Sequence, residues 1–146
     1  MIKEKEIVDT IADRLATITI ANGYYTNAGN NVVVWSNFPF RLNELPAYEV
    51  RDTAVVKEAN QTEGPDALVL YLMQVEINII SGDIDVLRQA KADLLKLIGE
   101  DLTWDGYAIH TNFIQTNKVL EQEENRLLGE TVLIQIQFRT KNWSEE

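Results

Sequence analysis

Residues 68 to 80 read Leu68-Val69-Leu70-Tyr71-Leu72-Met73-Gln74-Val75-Glu76-Ile77-Asn78-Ile79-Ile80, and in the second half Val75, Ile77 and Ile79 alternate with Gln74, Glu76 and Asn78. Alternation at every second residue marks a β-strand with one face in a core and the other face wetter. A run of this length, at ~3.3 Å per residue, reaches about 43 Å, further than the ~30 Å breadth of a small domain. The strand is therefore expected to bend over its own core at a bulge, or to project an end that pairs with another chain. The second outcome makes assembly, ahead of catalysis, the question the sequence poses.

Upstream of the strand, Ile7, Val8, Ile11, Leu15 and Ile18 fall at helical spacing, so residues 3 to 19 are expected to form an amphipathic helix that Asn22-Gly23 ends. Tyr24 to Asn31 reads as a polar loop before a short strand, Val32 to Trp35, which Pro39 interrupts. A second short strand is expected over Ala47 to Asp52, followed by a polar connection over residues 57 to 66. Downstream, Ser81-Gly82-Asp83 supplies a turn and a cap, and Ile84, Leu87, Ala90, Leu94, Leu97 and Ile98 mark a buried helical stripe that stops near Gly99. After the Asp105-Gly106 turn signal come strands over Ala108 to Thr116 and Val132 to Arg139, with a long acidic connection from Asn117 to Glu130 between them. This order implies an α+β fold: a single layer of mostly antiparallel sheet with two helices packed on one face, its strand order left open by the helix between strands.

The chain has 146 residues, enough for one domain with its own core over residues 1–146. No apolar run approaches a membrane span, and the acidic residues near Met1 are unlike a secretory signal, so the expected compartment is the cytoplasm. The absence of cysteine excludes disulfides, thiol nucleophiles and thiolate metal sites. A net charge of −10 opposes binding to nucleic acid and to anionic lipid, whereas an acidic channel wall would let DNA pass without holding it.

Nothing in the sequence assembles a catalytic site. His110, the single histidine, lies in an expected strand without the partners that catalysis or a metal requires. Asp83 and Asp85 open a helix, where carboxylates cap amides, and the acids from Glu121 to Glu124 read as solvated. The glycines Gly23 and Gly29 match no phosphate-binding pattern, and Ser36, Ser81 and Ser144 match no nucleophile motif. Asn142-Trp143-Ser144 fits a glycosylation pattern that a chain without a secretion signal leaves unmodified. Of the tryptophans, Trp35 is expected in the core and Trp143, close to the carboxyl end, at an interface. No cofactor and no metal are expected.

The stretch from Ala21 to Gly29, Ala-Asn-Gly-Tyr-Tyr-Thr-Asn-Ala-Gly, set between an amphipathic helix and Val32-Val33-Val34, resembles the tail-terminator or tail-completion proteins of long-tailed bacteriophages, of the lambda type. The resemblance continues through Glu44-Leu45-Pro46-Ala47-Tyr48-Glu49-Val50 and through the order of the later elements. It implies a non-catalytic virion protein that forms a ring, a hexamer in that family, by contacts between copies. The ring caps the tail tube, halts its polymerisation and offers a surface to a head-completion or neck protein, while DNA passes without specific binding. Its location would be the virion tail, and the host cytoplasm during assembly. On this reading Tyr24, Tyr25 and Thr26 form one contact loop, Glu121, Glu123, Glu124 and Arg126 another, with Trp143 as a further contact. An exposed edge of the long strand would supply one patch of the joint. The alternatives are a neck or head-to-tail joining protein, a small-ligand-binding regulatory domain and, third, an enzyme built around His110.

Overall fold

The computed structural model describes residues 2–35, 44–58, 68–122 and 127–141 together with 144 and 146, with backbone alone for 119–122. Its elements are helix α1 (Lys3–Leu15), strands β1 (Val32–Val34), β2 (Ala47–Lys57) and β3 (Leu68–Ser81), helix α2 (Ile84–Glu100), and strands β4 (His110–Gln122) and β5 (Leu127–Lys141). The sheet order is β1-β2-β3-β5-β4, antiparallel throughout except for β1 beside β2. Because β3 and β4 both oppose β5, they run the same way, and α2 carries the chain across while β5 fills the gap between them.

The alternation in β3 is realised: Met73, Val75, Ile77 and Ile79 are buried and their neighbours partly exposed. Opposite them Val132, Ile134 and Ile136 of β5 and Tyr48 and Val50 of β2 join the same core, closed from one side by Ile7, Ile11 and Leu15 of α1 and Leu87, Leu94 and Leu97 of α2. Each fully buried aliphatic side chain contributes roughly 1.5–3 kcal/mol relative to exposure. The α+β reading therefore holds, with both helices on one face.

The long strand neither bends at a bulge nor projects. β5 pairs with it from Leu68 to Ser81 without a shift, β2 flanks its other side, and the bulges lie in β2, between Asp52 and Ala54, and in β4. The sheet is as long as its central strand because its neighbours lengthen with it. Accordingly β2 runs on to Lys57, past the expected end at Asp52. The expected loop from 117 to 130 is largely strand as well: β4 continues to Gln122 and β5 begins at Leu127. Charges hid this hairpin, since Lys118 pairs with Glu130 across the strands at 3.5 Å, a contact that replaces apolar alternation.

Helix α1 stops four residues early. The β-branched run Thr17-Ile18-Thr19-Ile20 resists continuation, and the Thr17 hydroxyl donates to the Arg14 carbonyl at 2.6 Å. Ile18 stays buried all the same, and Gly23 closes the next turn at φ +91°. The predicted cap on α2 is present: Asp83 Oδ1 accepts from the Asp85 amide at 2.7 Å, while Ser81 Oγ is engaged with the Asp83 backbone. None of the helices is long and apolar enough to cross a membrane among the described residues.

Candidate functional site

The loop after α1 is built onto α2 by one carboxylate. Asp93, 2% exposed, accepts from the Tyr25 amide at 2.9 Å, the Thr26 amide at 2.9 Å and the Thr26 hydroxyl at 2.7 Å. Asn27 Oδ1 receives the Ile20 amide at 2.9 Å, and Gly29 donates to the Ile18 carbonyl at 2.8 Å, so the loop is pinned along its length. Of the three expected contact residues, only Tyr25 is presented, 69% exposed. Tyr24 is half-buried under the Lys96 ammonium, 4.9 Å from its ring centre, and burial together with Glu100 keeps its hydroxyl above the ordinary pKa. Thr26 is 5% exposed and faces Asp93, not solvent. Asp93 carries little signal in the sequence. Its signal was a lone acid beside Ala90 and Leu94 on the apolar stripe of α2.

A second fixed corner joins both helices to β4. Arg14 donates to the Leu97 and Asp101 carbonyls at the end of α2 and lies 4.4 Å over the ring of Trp104, whose indole N–H reaches Thr111 Oγ1 at 2.8 Å. Asp101 is held at a pKa of about 2, first by the Thr103 hydroxyl and then by the Asp105 and Thr103 amides. A folded-state pKa below the ordinary 3.8 means that the contribution of Asp101 is fully present above that value and is lost as the pH falls toward 2. The Asp101→Asn variant is therefore expected to be less stable than the wild type near neutrality, with the gap closing toward pH 2. Urea midpoints measured between pH 6 and pH 2 check this, and a constant gap would contradict it.

Among the described residues His110 and the buried acids stand apart. His110 is exposed on β4 opposite Gln137, and Glu130, buried, is bound through Oε2 to Lys91 at 3.0 Å and Lys118 at 3.5 Å. Among the described residues no three histidine or acidic side chains gather as a metal site. On the face away from the helices, Arg51 meets Glu49 in a double contact at 2.8 Å, Asn78 joins at 3.1 Å, and Thr131 donates to Asn78 at 2.6 Å.

What the surface does offer is two margins. Among the described residues strand β4 pairs on one side with β5 and stands last in the sheet, so the outer edge belongs to β4 and not to the long strand, whose two sides are both taken. Near its start Ile109, Phe113 and Ile114 are exposed, Phe113 by 55%. Behind Phe113 an open, largely apolar groove of about 320 Å³ runs between Leu95, Ile98, Gly99 and Leu102 of the α2 end and Ile134. On the opposite margin the described part of β1 pairs with β2 from Tyr48 to Val50. There Trp35, expected in the core, is 52% exposed. It leaves the strand at φ +52°, and its indole N–H donates to Asp52 Oδ1 at 2.7 Å with the Arg51 guanidinium 5.6 Å from the ring. The side chain of Glu121 and all of Glu123, Glu124, Arg126, Trp143, Ser36 and Pro39 lie outside the described residues.

No protein-family model and no curated protein matches the sequence. The fold does have a counterpart among solved structures: a chain from the virion of a native gene transfer agent particle is similar to it with a TM-score of 0.63 and 11% identity, covering 89% of this chain and 92% of that one.

Proposed function

We propose that this protein is a virion structural subunit of the tail-terminator type, which assembles into a ring on the end of a tail tube, stops its growth and presents a surface to the head or neck. The observation that carries the reading is the likeness in fold, over nearly the whole of both chains, to a chain from the virion of a gene transfer agent particle. The order of elements that resembles tail terminators supports the finer role. The outer edge of β4, which no described strand pairs, supports assembly, since such an edge rimmed with apolar side chains is a pairing surface. The work is done by shape and backbone, with no bond made or broken, in the host cytoplasm and then in the virion tail. The partners are further copies in a ring, six as in the resembling family, the tube protein and a head-completion or neck protein, while DNA passes through.

Purified protein added to growing tail tubes is expected to shorten and even out their lengths. Unchanged lengths would overturn the capping role. Copies of charge −10 repel one another, so assembly is expected to strengthen as salt rises from 20 to 300 mM. Light scattering across that series reads the effect, and rings that loosen with salt would point to a joint held by ion pairs.

A further inference from the structure

We infer that two copies of this chain pair edge to edge through the start of β4, the stretch from Ile109 to Phe113 of one copy running antiparallel to the same stretch of the other about a two-fold axis at Thr111. A two-fold joint closes after two copies and makes no ring, so the inference goes beyond the reading above and does not depend on it.

β4 stands last in the sheet, with β5 on one side, and no described strand pairs with the other. Ile109, His110, Phe113, Ile114 and Gln115 are exposed along it. Strand edges that must stay single are blunted by charge, by proline or by a bulge that twists them away. From Gly106 to Asn117 this edge carries no acid, lysine, arginine or proline, in a chain that is 25% charged. Its bulge falls between Phe113 and Gln115, beyond the stretch from Ile109 to Phe113, and the Ile109 amide ties the start of that stretch to the Gln137 carbonyl at 2.7 Å. Charge also selects the occupant. Copies of net charge −10 repel wherever their acidic surfaces meet, and repel least at a stretch that is uncharged on both, His110 being neutral at pH 7.

The residue pattern is self-complementary about Thr111. Ile109 of one copy stands opposite Phe113 of the other, His110 opposite Asn112, and Thr111 opposite itself. Phe113 lies across from Ile134 of the core, so Ile109, Thr111 and Phe113 point to the helix side and His110 and Asn112 away from it. Each apolar side chain of the stretch thus meets an apolar one, and each polar side chain a polar one. The helices of both copies then lie on the same side of a sheet that runs through the joint. Seated beside Phe113, the second copy's Ile109 closes the outer mouth of the apolar groove of about 320 Å³ under Leu95, Ile98 and Leu102, and symmetry makes the same contact twice.

The chain has no cysteine, so introduced thiols report on this joint alone. Ile109→Cys mixed with Phe113→Cys, and separately His110→Cys mixed with Asn112→Cys, are oxidised mildly. Adjacent pairs across antiparallel strands alternate between close and wide spacing, so at least one mixture is expected to give a linked dimer that neither of its variants gives alone. The double variant of the linking pair is expected to stop at a dimer, whereas a ladder of larger species would show a head-to-tail contact and overturn the two-fold joint. Phe113→Glu, with unchanged circular dichroism, is expected to weaken the dimer about tenfold, and adding Ile109→Lys to restore it, because the new charges face each other twice. Sedimentation showing a monomer across a concentration series, dimers without a link from either mixture, or a double charge variant no tighter than Phe113→Glu would each overturn the joint. The tube-length assay reads none of these, so the joint and the capping role stand or fall separately.

Discussion

Replacing Gly29 with alanine is expected to destabilise the protein by about 3 kcal/mol and to lower the melting temperature by roughly 10 °C. An added Cβ would lie 2.5 Å from the Leu15 carbonyl oxygen, 2.6 Å from that of Ile18 and 2.8 Å from that of Ala16. All three are backbone atoms at the end of α1, so no flexible side chain can turn aside. The glycine is required for space and not for an unusual dihedral, because the chain here crosses directly over the last turn of the helix and donates to Ile18. Gly99 supplies the contrast. It lies inside α2 with nothing within 4 Å of a Cβ, so Gly99→Ala is expected to raise stability by about 0.5–1 kcal/mol. Urea unfolding of the two variants side by side checks both signs, and a neutral Gly29→Ala would mean that the loop lifts away from α1 at little cost.

The elements that periodicity controls were legible before any coordinates. The alternation of Val75, Ile77 and Ile79 and the stripe from Leu87 to Ile98 both became core surfaces, because burial of one face leaves a fixed spacing behind. Strand ends were not legible. Lys118 and Glu130 stabilise the β4–β5 hairpin as a charged pair, and a charged pair in sequence looks like a loop. The position of the long strand is illegible for a related reason: length alone does not tell a central strand from an edge, and only the partners of β3 decide it. Residue type alone places Trp35 in the core, yet a positive φ and a hydrogen bond to Asp52 hold it outward, and neither leaves a local signal. The resemblance points to the loop from Tyr24 to Thr26 as a contact loop, but which of its residues face solvent depends on Asp93, remote in sequence and brought near by α2.

Asp93→Ala is expected to cost about 3–5 kcal/mol, the largest effect of any single side chain in the loop region. The change leaves three donors, the Tyr25 and Thr26 amides and the Thr26 hydroxyl, aimed at a space with no acceptor. Each buried orphan costs roughly 1–3 kcal/mol, and water reaching the exposed Tyr25 side recovers part of the sum. Asp93→Asn retains one accepting oxygen but turns an amide toward a donor, so about 2 kcal/mol is expected, and Thr26→Val, which removes only the hydroxyl, about 1 kcal/mol. The order Ala, Asn, Val is the test by urea denaturation, since simple loss of packing volume would make Asp93→Asn nearly silent. Hydrogen exchange supplies a local readout: the Tyr25 and Thr26 amides should lose protection in Asp93→Ala well before those of β3, because the loop opens while the sheet stays closed. The same loop is clamped at its other end by Gly29, so combining Asp93→Ala with Gly29→Ala should cost less than the sum of the two. Once one end is released, the second clamp has little left to hold.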